Sequence, residues 1–79
     1  MPRFSIRYQL PETGKVKIVL YNLLGQKFKT LVNQELNAGS HKVIWNAINE
    51  YGSKVASGLY IYRMQVGDFV DTKKMMVLK

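Results

Sequence analysis

The single histidine, His41, is the first side chain to consider for acid–base chemistry or metal binding. It follows a Gly-Ser turn and is predicted to lie near the start of a β-strand. Either role needs partners within hydrogen-bonding or coordination distance. The acidic residues fall mostly in predicted turns: Glu12, Glu35, Glu50, Asp68 and Asp71. We therefore predict that His41 is a strand-end side chain hydrogen-bonded to a neighbouring loop.

The other features that would support catalysis are weak. Ser57 precedes Gly58, but this segment lacks the strand–elbow–helix context of a hydrolase nucleophile. The glycines occur singly at turns, whereas a phosphate site needs a cluster of them before a helix. The absence of cysteine excludes disulfides, thiolate metal sites and a cysteine nucleophile. We expect a protein that is not an enzyme and has no catalytic residue, cofactor or metal ion.

Twelve basic and five acidic residues give a net charge of +7, which favours anionic neighbours such as nucleic acid, lipid phosphates or acidic glycans. Basic residues interleaved with Phe28, Tyr51, Tyr60 and Tyr62 would suit a stacking groove for oligonucleotides. Against this, the tyrosines alternate in a way that buries them. Lysines also occupy outward strand positions, where they deter edge-to-edge aggregation: Lys15, Lys17, Lys27 and Lys29. We favour a solvated basic face and expect no nucleic-acid partner.

Apolar residues alternate with polar ones along much of the chain, as in half-buried β-strands. The clearest example is residues 55–66, where one face is wholly apolar or aromatic: Tyr60, Tyr62, Met64 and Val66. The next two residues, Gly67 and Asp68, fit a two-residue hairpin loop in which glycine supplies the positive φ of a type II′ turn. This strand and its hairpin are the organising element of the chain.

Turn signals every 8 to 12 residues predict six or seven short antiparallel strands in one domain of 79 residues. The predicted strands cover residues 4–10, 15–21, 27–32, 41–46, 55–66 and 69–78, with 34–36 as at most a short seventh. Phe28 and Leu31 share a face only if a β-bulge separates them, so we predict one there. By base rates, this pattern indicates an all-β sandwich or small barrel, with no membrane-spanning segment.

Two parts of the pattern call for particular expectations. The turn at 22–26 contains an apolar pair, and we expect Leu23 or Leu24 to pack at the edge of the core. In the last strand both faces carry apolar residues, with Met75 and Val77 on one face and Val70, Met76 and Leu78 on the other. Periodicity leaves the inner face of that strand open.

A series of motifs resembles the type A C-terminal sorting domain of the type IX secretion system. The motifs cover nearly the whole chain in order: SIRYQLP at residues 5–11, YNLLGQ at 21–26, AGSHKV at 38–43, VASGLYIYR at 55–63 and TKKMMVLK at 72–79. A related pattern occurs in the immunoglobulin-like domain of flagellar hook-capping proteins, which shares Gly-x-x-Val-Ala-Ser-Gly-x-Tyr, here Gly52 to Tyr60. The family's structural motif residues correspond here to Gly25, Gly39, Trp45, Gly58, Tyr60 and Tyr62.

The resemblance implies an immunoglobulin-like or fibronectin III-like antiparallel sandwich of about seven strands. It also implies a sorting and anchoring domain, cut from a larger exported protein that reaches the cell surface or the medium after passing through the periplasm. Its partners would be the secretion translocon and a sortase-like peptidase. By resemblance, translocon recognition involves the last strand and its basic residues: Lys73, Lys74, Met75, Val77 and Lys79.

The longer loop at residues 49–54 favours the hook-capping relative, so the second interpretation is an accessory or assembly module of a larger extracellular protein or enzyme. The family's usual Asn/Pro-rich opening segment is replaced here by Met1-Pro2-Arg3-Phe4. We also expect unpaired strand edges in such a domain to promote strand-exchanged homodimers.

Overall fold

The computed structural model describes residues 3–78, which form six β-strands joined by turns and loops. The strands are β1 (Phe4–Leu10), β2 (Gly14–Tyr21), β3 (Lys27–Leu36), β4 (Gly39–Trp45), β5 (Gly58–Val66) and β6 (Phe69–Val77). β1 pairs with β4 in one sheet, and the other sheet has the order β3-β2-β5-β6. Every pairing is antiparallel, so the predicted all-β sandwich is confirmed. Within the described residues no helix is long and apolar enough to cross a membrane.

The alternating pattern places the predicted residues in the core. Ile6 and Leu10 of β1 are buried, while the intervening Arg7 and Gln9 are exposed. β2 buries both faces towards its end, because Val19 on its outer face lies between Thr30 and Arg63 on the flanking strands. β2 is therefore the central, most buried strand of the larger sheet.

β3 contains the irregularity that the sequence predicts. The register with β2 shifts twice, and each shift leaves one residue of β3 without a direct partner: Leu31 and then Phe28. Both side chains pack inward on the core clusters. The bulges let two residues at an odd spacing reach the same face, as the imperfect apolar pattern required.

Within the described residues the sandwich has six strands, the lower of the two numbers that the sequence predicts. Residues 34–36 continue β3, where Gln34 and Glu35 pair with Val16 and Lys15, and the strand ends at Leu36. The polar side chains of this extension are exposed because it lies at the sheet edge. β4 begins at Gly39, two residues earlier than predicted, and β5 begins at Gly58, three residues later.

The core divides into two clusters along the length of the sandwich. The first is aliphatic and joins both sheets through Leu10, Val16, Ile18, Val32 and Met64. The second is built on Leu20, Trp45, Ala47 and Val77, with partly buried aromatic residues around it. Burying these side chains supplies most of the favourable free energy of so small a domain.

Trp45 is the centre of the second cluster. It is 1% exposed, and its ring contacts Phe4, Phe28 and Tyr60 at centroid separations of 5.7, 5.8 and 6.2 Å. Its indole N–H donates a 2.7 Å hydrogen bond to the carbonyl of Ile48, which satisfies the one polar group of the side chain. On β4, Trp45 is buried and His41 and Val43 are half-buried, so these three residues share its inner face.

The β5–β6 hairpin has the predicted two-residue turn. Gly67 has φ of 56°, while Asp68 keeps a negative φ, which fits type II′. The inner face of the last strand is now assigned: Val77 is fully buried and Met75 is half-buried, whereas Met76 is exposed. Tyr60, on the facing strand, donates a 2.6 Å hydrogen bond to the carbonyl of Ala56.

The expectation that Leu23 or Leu24 packs at the core edge is wrong. These side chains are 62% and 84% exposed. The loop is held by polar contacts, because the Asn22 side-chain oxygen accepts hydrogen bonds from the backbone N–H groups of Leu24 and Gln26. Gly25 adopts the positive φ of 81° that closes the turn. No apolar anchor is needed.

Candidate recognition surface

An open groove runs between the β1 edge of the small sheet and the β6 edge of the large sheet. Its volume is about 650 Å³. Among the described residues, β6 pairs only with β5 and β1 pairs only with β4, so each strand has one unpaired edge. We call this feature the edge groove. It is lined by Ile6, Arg7, Tyr8, Gln9, Ser40, His41, Lys42, Tyr62, Met64, Phe69, Asp71 and Lys73.

The floor of the edge groove is apolar and comes from both sheets. Ile6 and Met64 are buried there, and Tyr62 is half-buried. Phe69 stands at the start of β6 with 57% of its surface exposed. An exposed phenylalanine beside a buried apolar floor gives a contact surface for another apolar side chain.

Tyr8 and His41 form one wall of the edge groove. Their rings stack with centroids 5.6 Å apart, because the two residues are directly paired across β1 and β4. His41 Nε2 lies 2.6 Å from the carbonyl oxygen of Asn37, in the turn before β4. Burial raises the pKa of the Tyr8 phenol by disfavouring the phenolate. The prediction that His41 is a strand-end side chain bonded to a neighbouring loop is confirmed.

The rim of the edge groove carries three cationic side chains, Arg7, Lys42 and Lys73, and one carboxylate, Asp71. Lys73 Nζ lies 3.8 Å from the Asp71 carboxylate, with 60% of the lysine side chain and 40% of the aspartate side chain exposed. A pair this exposed contributes little to stability. The excess of positive charge therefore remains available to an anionic partner.

A second cavity of about 460 Å³ continues the edge groove around the end of the sandwich. It lies between the turn after β1 and the β5–β6 hairpin, and it shares Gln9, Met64 and Phe69 with the edge groove. Glu12 and Asp68 line this end. Together the two cavities form a concave surface that extends from the middle of the domain to the end that carries the β5–β6 hairpin.

The residues predicted for translocon recognition lie in different environments. Lys73 lines the edge groove, and Lys74 is exposed on the opposite face of β6. Met75 and Val77 belong to the aromatic core cluster, where Val77 is fully buried. Lys79 lies outside the described residues. Only the two lysines thus present their side chains to solvent, while Met75 and Val77 position the strand.

The predicted structural motif residues lie in turns and in the core. Gly25 and Gly39 have positive φ values of 81° and 127°, and Gly58 begins β5. Tyr60 packs with Trp45, and Tyr62 contacts both core clusters. Both tyrosines are half-buried on the inner face of β5.

Within residues 3–78, no group of three or more histidine and acidic side chains is placed to hold a metal ion. Glu50, one of the acids considered, instead accepts a 3.2 Å hydrogen bond from the Thr30 backbone N–H. That contact fixes the loop after β4 against the start of β3.

Sequence reasoning missed Arg7, Phe69 and Asp71, which the fold brings together in the edge groove. It also missed which backbone groups of β6 are unpaired. In a two-residue hairpin the residues flanking the turn, Val66 and Phe69, form a hydrogen-bonded pair, and such pairs recur at every second residue. The N–H and C=O groups that point to the free edge therefore belong to Val70, Thr72, Lys74 and Met76.

No protein-family model matches the chain, and no curated protein matches its sequence. Among solved structures, the chain is similar to FlgD from P. aeruginosa, a flagellar hook-capping protein, with a TM-score of 0.75 and 21% identity. The similarity covers 95% of this chain and 59% of that one. The two share a fold. The chain spans little more than half of the FlgD chain.

Proposed function

We propose that this chain is a non-catalytic immunoglobulin-like assembly module of a larger exported protein, and that it binds a partner protein at the edge groove. The observation that carries the proposal is the fold shared with FlgD over 95% of the chain. The open groove beside two unpaired strand edges supports it, because such edges are the places where sheets accept further chain.

Site-specific photocrosslinking in the organism's own cells tests this proposal. A photoreactive phenylalanine analogue at Phe69, which is 57% exposed in the groove, is compared with the same analogue at Ile44. Ile44 is 49% exposed on the outer face of β4, so it serves as a control of similar exposure. We expect a discrete protein adduct from Phe69 alone. The same adducts from both positions, or none from Phe69, would contradict the proposal.

A second candidate function is the type IX sorting signal that the sequence motifs imply. It is favoured by the solvent exposure of Lys73 and Lys74 on the terminal strand, where the resemblance places recognition. In this function the domain brings its cargo to the translocon, and a sortase-like peptidase then acts on the cargo.

A periplasmic reporter fused to the domain, in a bacterium with a type IX system, tests the second candidate. We expect the reporter to reach the cell surface, and Lys74→Glu to reduce this transfer. Lys15→Glu makes the same charge change on β2, away from the terminal strand, and is expected to leave transfer intact. A reporter that stays in the periplasm would rule out sorting and leave the assembly function standing.

A further inference from the structure

We propose that the edge groove binds an extended, acidic segment of a partner protein, which pairs with β6 as an added strand of the larger sheet. This inference rests on the proposed assembly function and names the class of partner. The first supporting observation is the set of unpaired backbone groups on β6. The free edge of β6 presents the N–H and C=O groups of Val70, Thr72, Lys74 and Met76, which no other described strand pairs.

The side chains around this edge specify an alternating segment. A strand added beside β6 points every second residue into the space between the sheets. There its side chains lie beside the inner-face residues of β6 that line the edge groove, Phe69, Asp71 and Lys73. On its other face the added strand lies beside Val70 and Met76, which are 42% and 54% exposed, so aliphatic residues suit that face.

The charges around the groove favour an acidic partner. Arg7, Lys42 and Lys73 stand at its rim against a single carboxylate, and Lys74 lies on the other face of β6. Acidic residues that alternate with the aliphatic ones point into the groove, towards Arg7, Lys42 and Lys73. A basic segment would meet repulsion from the same side chains.

The same charges disfavour a second copy of this chain as the occupant. When β6 pairs antiparallel along its full length with β6 of another copy, Lys73 of one chain lies directly opposite Lys73 of the other. Like charges directly opposite each other destabilise a strand pair, and lysines at an edge deter this form of association. A homodimer formed by edge-to-edge pairing of two β6 strands is therefore not the expected complex.

Amide hydrogen exchange by NMR tests the proposal on the intact domain. The probe is a nine-residue peptide, Thr-Glu-Val-Glu-Val-Glu-Val-Glu-Thr, compared with the same peptide carrying lysine for glutamate. Before addition we expect fast exchange at the amides of Val70, Thr72, Lys74 and Met76, and slow exchange at Lys73 and Met75. The acidic peptide should slow exchange at the first four amides, whereas the lysine peptide should leave them unchanged.

A pair of variants at Thr72 isolates the edge hydrogen bond. Thr72→Pro removes one free-edge N–H without removing a bond to β5, whereas Thr72→Val keeps that N–H. We expect about a tenfold loss of affinity for the acidic peptide in T72P and little change in T72V. If T72P fails to fold, the exchange pattern of the unmodified domain decides the matter alone.

Several outcomes would overturn the inference: no binding of the acidic peptide at about 1 mM, equal binding of the lysine peptide, or protection at amides outside β6. Self-association through β6, detected as slowed exchange at the four edge amides when the domain is concentrated without peptide, would also overturn it. A Phe69 crosslink in cells together with a failed peptide experiment would leave the assembly function standing and remove the acidic-strand partner alone.

Discussion

Asn22 and Asn49 form the same set of hydrogen bonds in two loops that share no strand. In each loop the asparagine side-chain oxygen accepts bonds from the backbone N–H groups two and four residues later, at 2.9 and 3.0 Å. Its backbone N–H bonds to the carbonyl four residues on, and its carbonyl accepts from the glycine at the third position, Gly25 or Gly52. The matched loops show that one local motif, Asn-x-x-Gly, closes two different connections of the sandwich.

Replacing either asparagine by alanine removes an acceptor shared by two backbone donors. We expect Asn22→Ala and Asn49→Ala each to destabilise the domain by about 1 kcal/mol, because these donors lie in exposed loops where water partly replaces the lost bonds. In a domain of this size, that change lowers the melting temperature by roughly 4–8 °C. Thermal unfolding followed by circular dichroism measures it.

The matched control for this pair is aspartate, which keeps the oxygen acceptor. Asn49→Asp should retain most of the stability that Asn49→Ala loses. Asn22→Asp should lose somewhat more than Asn49→Asp, because the Asn22 amide also donates a 2.9 Å bond to the Gln26 side chain. Equal melting temperatures for the alanine and aspartate variants would show that the shared acceptor does not stabilise the loops.

The sequence predicts local features well because their causes are local. The odd spacing of Phe28 and Leu31 requires a bulge, and the structure has one at each residue. His41 has no acidic residue next to it in the chain that could support catalysis, and its ring bonds to the preceding turn. Leu23 and Leu24 show the limit of apolar content as a guide, because hydrogen bonds to Asn22 hold that loop without them. The Asn-x-x-Gly spacing was the signal that would have corrected this expectation.

The edge groove could not be predicted, because it depends on the order of strands in the two sheets. Arg7 and Asp71 are 64 positions apart in the chain, and both line the groove only because the fold brings residues of β1 and β6 to the same side of the sandwich. Alternation assigns a face to each residue, but it carries no information on which strand forms an edge. The unpaired edge of β6, where we place partner binding, follows from the topology alone.

Trp45→Ala should destabilise the domain by about 3–5 kcal/mol, because it leaves a cavity among Phe4, Phe28 and Tyr60. Trp45→Phe keeps much of the apolar volume but leaves the Ile48 carbonyl without the indole donor, so we expect a smaller loss. Urea unfolding followed by circular dichroism measures both variants. An unchanged midpoint for Trp45→Ala would contradict the central position of this ring.

Alanine substitutions at the neighbouring residues Val77 and Met76 test which face of β6 contributes more to the stability of the fold. Val77 is fully buried, and Val77→Ala should cost about 1.5–3 kcal/mol. Met76 is 54% exposed, and Met76→Ala should change stability by about 0.5 kcal/mol or less. Equal losses would show that the outer face of β6 is also covered. The comparison also separates folding from recognition, since any loss of sorting in Val77→Ala must be corrected for unfolded protein.

Tyr8 gives the domain a sensitivity to alkaline pH. Desolvation raises the pKa of the Tyr8 phenol in the folded state above its usual value near 10. The unfolded chain therefore releases this proton at a lower pH than the folded domain does. The stability that this difference represents is fully present below about pH 10 and is lost as pH rises through the folded-state pKa.

Urea midpoints measured from about pH 8 to pH 11 should fall for the unmodified domain, and Tyr8→Phe should remove part of that fall. Tyr51→Phe is the control, because Tyr51 is 92% exposed and the substitution therefore removes few contacts with the rest of the protein. Parallel curves for the unmodified domain and Tyr8→Phe would mean that the wall of the edge groove is open to water. In that case the stack with His41, which is 5.6 Å between centroids, would not shield the phenol.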